Sequence, residues 1–399
     1  MSAASNELLH ERDGDEVPVG FSELFFDLVF VFAITQVSHT ILEHFSVLGL
    51  VQSFIVLLAL WWSWICTTWV TNWLDAEKAT VRLLLFGLMA LGLLLASAVP
   101  DAFAERGLYF AMAYVGFQLG RTAFVFWASK GHAELRANFI RAGTWFATVG
   151  IVWIAGGIAA PEDRIWIWGL AMMLDLLAAA VRFWLPVLGA TPFSHWDIEG
   201  GHIAHRCGLF MIIVLGEAVL LIGGGFAENV WTVELEVCFL ACVAVIVAMW
   251  WIYFGEPGGI AQHRVASHPR SVLLALTAYT YLPVLFVSGA VLTAVGSELV
   301  LEDPAVIPHG LEKAVLIAGP ALFLIAAVIV ARLIFGKWKP LRIAAALTMV
   351  ALVPLPTSAL ATSLSIALIV TLLAILEYLQ WRRLDDEDKA RLRGDPHRI

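Results

Sequence analysis

The sequence predicts an all-α, polytopic integral membrane protein of about twelve transmembrane helices, arranged as two parallel six-helix repeats. Three observations carry this. Of 399 residues, 60% are hydrophobic and only 14% charged, more apolar surface than a soluble chain of this length can hide. The apolar residues fall into twelve stretches, most near the roughly 20 residues that cross a bilayer core. The basic residues then alternate. With the N-terminus inside, the inner segments and tail hold 20 of the 24 Lys and Arg, the outer loops hold Arg106, Arg164 and Lys313, and Arg121 lies within a span. A wrong span count would scramble that positive-inside pattern.

The elements follow in order. Residues 1–20 are polar and acidic and lack the basic region and cleavage site of a signal peptide, so the first span is expected to be retained. The first repeat, 21–185, holds Phe21–Glu43, Val47–Trp73, Thr80–Pro100, Leu108–Ser129, Ile140–Ala160 and Ile165–Leu185. A cytoplasmic linker, 186–201, precedes the second repeat, 202–381. That repeat holds His202–Gly224, Trp231–Gly255, Ser271–Val295, Leu311–Phe335, Leu341–Pro354 and Ser358–Trp381. The eleventh span is short and stops at Pro354-Leu-Pro356, and the charged tail 382–399 is cytoplasmic. Pro283 and Pro320 are candidate helix breaks, and Gly223-Gly224-Gly225 is expected to end the seventh span.

The halves echo each other. Asp27 and Glu217 lie 190 positions apart, each in the first helix of its half, and Trp61-Trp62 and Trp250-Trp251 lie 189 apart. Arg82 and Arg270 precede the third and ninth spans. Six helices per half is an even number, which gives both repeats the same orientation, as in transporters and channels whose path lies at the repeat interface.

Several function classes recede. The net charge of −9 resides largely in termini and loops and implies no nucleic-acid partner. Cys66, Cys207, Cys238 and Cys242 all fall in apolar stretches without zinc or redox spacing, so no cofactor or disulfide framework is expected. No phosphate loop, nucleophile elbow or zinc-protease motif supports an enzyme. The expected partners are membrane lipids and a small ion, a proton or a small solute, with homo-oligomerisation left open.

Ionisable groups inside spans are the candidates for function. Glu23 and Asp27 are one helical turn apart on one face of the first helix, with Ile34, Thr35 and Ser38 continuing it. Two carboxylates that close repel, so one keeps its proton unless a cation sits between them. This suits an ion or proton path; the alternative is a buried ion pair that locks helices, with Arg206 or Arg121 as partner. In the seventh helix His202, Arg206, Ile213 and Glu217 fall along one broad face. Arg206 is placed at the depth of Glu23, and Glu217 about 16 Å deeper by helix rise, as a protonatable site or as a neutral acid bonded to backbone. Gly216 would admit a neighbouring helix or ion beside it. Arg121 follows Gly116-x-x-x-Gly120, a pattern that permits close helix contact. Its partner is expected among Asp175, Asp27 and Glu23, with Asp175 read as structural. His202 and His205, at i and i+3 below a His-, Asp- and Glu-rich loop, are read as proton access rather than as metal ligands. Trp69 and Trp73 fit an interfacial belt, while Trp61 and Trp62 lie deep enough to pack against a path.

The stretch Glu23–Val31, ELFFDLVFV, resembles the bacterial low temperature requirement A family, as do His205-Arg206-Cys207-Gly208-Leu209-Phe210 and Leu215-Gly216-Glu217. That resemblance implies an integral protein of the bacterial cytoplasmic membrane with a link to growth in the cold. More distantly, Phe25-Phe26-Asp27-x-Val29-Phe30-x-x-x-Ile34-Thr35 is similar to the first-helix motif of the endolysosomal and bacterial potassium channels built from six-helix repeats. There Phe-Ser-Asp lines the pore; here Phe21-Ser22-Glu23 stands instead, a departure that does not carry potassium selectivity over. The expectation is a channel-like cation or proton pathway through Glu23, Asp27 and Glu217. A proton-coupled transporter of a small solute and a non-transporting scaffold or sensor are the alternatives.

Overall fold

The computed structural model describes Leu8, Leu9 and residues 19–192, 200–255 and 276–384. Among these the chain is all-helical, in twelve α-helices. They are α1 (Phe21–Glu43), α2 (Val47–Thr71), α3 (Ala79–Ala98), α4 (Gly107–Ala128), α5 (Ala133–Ile158), α6 (Pro161–Ala180), α7 (Gly200–Glu228), α8 (Val233–Phe254), α9 (Pro283–Glu302), α10 (Gly310–Phe335), α11 (Pro340–Val350) and α12 (Ala359–Arg383). Nine helices among the described residues are long and apolar enough to cross a membrane. Helices α4 and α6 have 22 and 20 residues but carry Gln118, Arg121, Arg164 and Asp175. The chain is thus an all-α polytopic membrane protein.

Local chemistry sets the helix ends. Ser46, Thr232 and Ser358 cap α2, α8 and α12 by accepting from Gly49 N (3.0 Å), Leu235 N (3.2 Å) and Ala361 N (3.2 Å). Pro161, Pro283 and Pro340 open α6, α9 and α11, where a missing N–H costs no intrahelical bond. Before Pro283 the chain forms a π-helical stretch, Leu276–Tyr281, closed by Leu282 N to Thr277 O at 3.3 Å. The π-helical stretch passes into α9 through Leu282, itself in helical conformation, so at Pro283 the ninth span changes helix type rather than breaking, and Pro320 lies inside α10 without ending it. Helix α7 runs through Gly223–Gly225 to Glu228, against expectation. Three glycines weaken a helix by only about 1 kcal/mol each, and a backbone without water must bond internally. Helix α11 has 11 residues, too few to span alone; Arg342 binds Glu377 of α12 through Nε (2.7 Å) and Nη2 (2.8 Å).

The chain divides into two compact units, Met1–Arg206 and Cys207–Ile399, with the boundary inside α7. In the first, α1 packs on α2 and α3, α3 on α4, α4 on α5 and α5 on α6, while α2 lies against α4 and α6. In the second, α9 packs on α10, α10 on α11 and α11 on α12, while α8 lies against α10 and α12. The neighbour pairs of α2 to α6 thus recur among α8 to α12.

Small residues let these helices meet at the backbone. A Cβ on Gly157 of α5 would lie 3.0 Å from Leu108 Cα and 3.1 Å from Gly107 O of α4, and one on Gly150 would lie 3.0 Å from Val115 Cγ1. In the second unit a Cβ on Gly289 would lie 2.9 Å from both Gly319 O and Phe323 N. One on Gly296 would lie 3.0 Å from Leu316 Cα. The expected contact glycines of α4 do not serve this way. Gly116 has only Leu91 Cδ2 at 3.9 Å, and Gly120 faces open space. Arg164, expected in an outer loop, is buried. It donates to Ala102 O (2.9 Å), Ala104 O (2.6 Å), Gly156 O (3.1 Å) and Ala159 O (3.1 Å), tying the end of α5 to the α3–α4 turn.

Gly319→Val is expected to lower the melting temperature of the purified protein clearly, through overpacking of about 1–3 kcal/mol. Gly120→Ala should leave it within error. Equal melting of the two variants would show that backbone approach does not hold α9 to α10.

Candidate functional site

The start of α1 is fixed before it reaches any partner helix. Gly20 N donates to Glu23 Oε2 at 2.9 Å, and Ser22 Oγ donates to Ala76 O at 2.8 Å. These contacts aim Glu23 and, one turn on, Asp27 into the interior, where they are 1% and 0% exposed. The first residues of α7 bring Arg206, also fully buried, between them. Arg206 Nη1 donates to Glu23 Oε1 at 2.5 Å and to Thr71 Oγ1 at 3.2 Å; Nη2 donates to Asp27 Oδ1 at 2.5 Å. Helix α2 closes the cluster: Trp64 Nε1 donates to the same Asp27 oxygen at 2.8 Å, and its ring lies 5.7 Å from the Arg206 guanidinium carbon. His202 Nε2 stands 3.3 Å from Glu23 Oε2.

Three buried polar atoms of this cluster have no hydrogen-bond partner among the described residues: Asp27 Oδ2, His202 Nδ1 and Arg206 Nε. All the residues named belong to the first unit. The cation foreseen between the two acids is thus a guanidinium of the protein, and Arg206 does sit at the depth of Glu23. Thr71 and Trp64 escaped the sequence reading as site residues. The trace that could have found them is their spacing of seven, which stacks both on the face of α2 that also carries Thr68.

The remaining candidates separate. Arg121 does not meet an acid: it donates to Ser63 O (3.2 Å), Thr67 Oγ1 (3.3 Å) and Gln118 Oε1, and its guanidinium lies 5.5 Å from the Phe146 ring. Asp175 accepts instead from Tyr114 Oη at 2.7 Å and Trp153 Nε1 at 2.8 Å. The expected pairing of Arg121 with Asp175, Asp27 or Glu23 is absent from the described ion pairs. His205 is exposed, so it does not share the buried face of His202. His195, Asp197 and Glu199 lie outside the described residues, and among the described residues no group of three His, Cys, Asp or Glu is placed to hold a metal.

Glu217 is buried in α7, in the second unit. Gly216 beside it faces open space rather than a close neighbour. Glu298 of α9, which the sequence reading passed over, approaches the α7 backbone: a Cβ on Gly225 would lie 2.6 Å from its Oε2. Cys238 and Cys242 are buried. Trp69 is buried rather than belt-like, and Trp61 and Trp62 are buried as expected, whereas Trp250 and Trp251 are exposed.

A family model described as bacterial low temperature requirement A protein matches residues 18–376. An uncharacterized protein of Rhizobium meliloti (strain 1021) is 37% identical over 329 residues, covering 81% of this chain and 80% of its own. No solved structure matches.

Arg206→Gln leaves two carboxylates buried without their cation and is expected to destabilise the protein by about 3–5 kcal/mol. Adding Asp27→Asn to Arg206→Gln should recover part of that loss. A double-mutant cycle of denaturation midpoints checks both statements; strict additivity would mean that the two side chains are not coupled.

Proposed function

The chain belongs to the bacterial low temperature requirement A family, and from that premise and the cluster around Arg206 we propose that it carries protons across a bacterial membrane. The observation that supports this is a charge count. Two carboxylates share one guanidinium, so with His202 neutral the ionised cluster holds one negative charge in excess at a fully buried site. Uncompensated charge is expensive there, and one proton removes it. Asp27 Oδ2 is the position that accepts a proton without displacing Arg206 or Trp64, since both are held by Oδ1. His202 stands beside the acids: its Nε2 faces Glu23, and its buried Nδ1 has no hydrogen-bond partner among the described residues.

A metal cation fits less well, because the place between Glu23 and Asp27 is filled by Arg206. The excess of basic residues in alternate segments supports the cytoplasmic membrane as location, with both termini inside. The recurring helix neighbours of α2 to α6 and α8 to α12 support an internal repeat. A second reading couples the same proton to a small solute. The π-helical turn Leu276–Tyr281 ahead of Pro283 favours it, since π-helical turns in helices are frequent at functional sites.

The test is proton flux into proteoliposomes that enclose a pH dye, with a membrane potential imposed. Wild type should acidify or alkalinise the lumen according to the sign of the potential, and sodium or potassium gradients alone should drive no flux of those ions. Asp27→Asn should reduce the proton rate at least tenfold, at unchanged folding by size exclusion and melting. A folded, inserted wild type that passes no protons, or an Asp27→Asn variant that matches it, rejects the proposal and leaves the cluster as a clamp between helices.

A further inference from the structure

The first unit buries a second set of charges that the Arg206 cluster does not use. Asp175 of α6 is 1% exposed, and both of its described hydrogen bonds, from Tyr114 Oη and Trp153 Nε1, land on Oδ2. One turn along α4 from Tyr114 is Gln118, whose Oε1 accepts from Arg121. Arg121, equally buried, is held otherwise by Ser63 O and Thr67 Oγ1 of α2. Two opposite charges therefore lie along one face of α4, about two turns apart, each satisfied by neutral groups rather than by the other.

That arrangement is not the one a structural ion pair takes. A carboxylate kept permanently ionised in a membrane interior needs a cation in contact, as Glu23 and Asp27 have. Asp175 has a hydroxyl and an indole. With both donors on Oδ2, a proton binds Oδ1 and breaks neither bond. The two donors also differ: an indole only donates, while a tyrosine hydroxyl donates and accepts, and so passes a proton on. Gln118 Nε2, buried and without a partner among the described residues, provides an open donor one turn from Tyr114.

We propose that Asp175 is a second proton-holding site of this chain, loaded and unloaded through the Tyr114 hydroxyl. Arg121 is the fixed positive charge that makes its ionised state accessible. The inference rests on the proton reading given above. In the unloading step the O–H bond of the Asp175 acid breaks and its electron pair stays on the carboxylate. For this the Tyr114 hydroxyl turns its hydrogen from Oδ2 to a water molecule, and the acid turns its O–H to the Tyr114 oxygen. That oxygen takes the proton as the hydroxyl passes its own to the water, which leaves as hydronium. The titratable and charged groups facing Asp175 are Tyr114 and Arg121 of α4 and Cys66 of α2, and α5 contributes the neutral Trp153. Helix α2 is the common wall. It presents Trp64 and Thr71 to the Arg206 cluster and Ser63 and Thr67 to Arg121.

Infrared difference spectra of the purified full chain between acid and alkaline pH read this site directly. A protonated-carboxyl band should be present in wild type and in Asp27→Asn, lose one component in Asp175→Asn and regain it in Asp175→Glu. In Tyr114→Phe its titration should shift by about one pH unit, a tenfold change in proton affinity. A wild-type spectrum with no such band, or a band that Asp175→Asn and Tyr114→Phe leave unchanged, overturns the proposal. Because the spectrum needs no transport, silent proteoliposomes would reject the transport reading without touching this result. Tyr114→Phe carries the test if Asp175→Asn fails to fold.

Discussion

One guanidinium shared by two buried carboxylates is the constraint to which the first unit is built. Withdrawing an ion from water costs several kcal/mol even after the protein relaxes, and attraction offsets this only with good geometry and satisfied hydrogen bonds. The Arg206 fork provides the geometry. Glu23 and Asp27 are separated along α1 by about 6 Å of helix rise, and the two terminal nitrogens of one planar group reach one acid each. A lysine ammonium would bring the charge without the fixed directions. Thr71, Trp64 and His202 complete the bonding, so α1, α2 and α7 are joined at a single point.

That point has to be dry for its electrostatics to count, and aromatic rings make it so. Phe26 stacks obliquely on Phe30 at 5.3 Å, and both meet Phe117 of α4 at 6.3 Å. Trp61 lies 5.1 Å from Trp64 on the α2 side. Low polarity strengthens the Arg206 contacts and equally raises the penalty for any charge left over. An odd number of charges in such a place is a stronger indication of proton exchange than an even one, because a neutral triad would have been the cheaper way to clamp three helices. The Arg121 and Asp175 set is even in number but its two charges are not in contact. It reaches the same end by separation rather than by count.

Hydropathy made most helices legible to within a few residues, because the length of a span is set by the bilayer and not by the partner it packs against, although α5 starts seven residues before the expected Ile140 and α9 runs seven past the expected Val295. The first span was delimited correctly at both ends, and Glu23 and Asp27 followed from their spacing. Helix rise also placed Arg206 level with Glu23. Rise gives depth but not direction around the axis, and the misses lie there. Gly116 and Gly120 carry the recognised spacing yet have no close neighbour, while the glycines that do let α4 and α5 meet are Gly150 and Gly157, both on α5; Gly107 makes room for the Arg164 guanidinium. Arg121 needed a partner, and charge pairing named acids; backbone carbonyls, a hydroxyl and an amide are as good for a guanidinium and leave no mark in a charge count. Arg164 was assigned to a loop for the same reason, although it serves carbonyls that only the folded α3–α4 turn presents.

The two units share their helix neighbours but not their chemistry. Helix α4 carries Arg121 and α6 carries Asp175 well inside their spans. Their counterparts by order, α10 and α12, hold Lys313 in the first turn and Glu377 near the other end, each bound locally. The tightest backbone approach in the second unit is the Gly289–Gly319 seam, which has no charged member. Packing at a glycine seam needs no charge, so one order of helices is held by backbone approach at Gly289–Gly319 and by charge at Arg206, two solutions that the shared neighbour pattern leaves equally open.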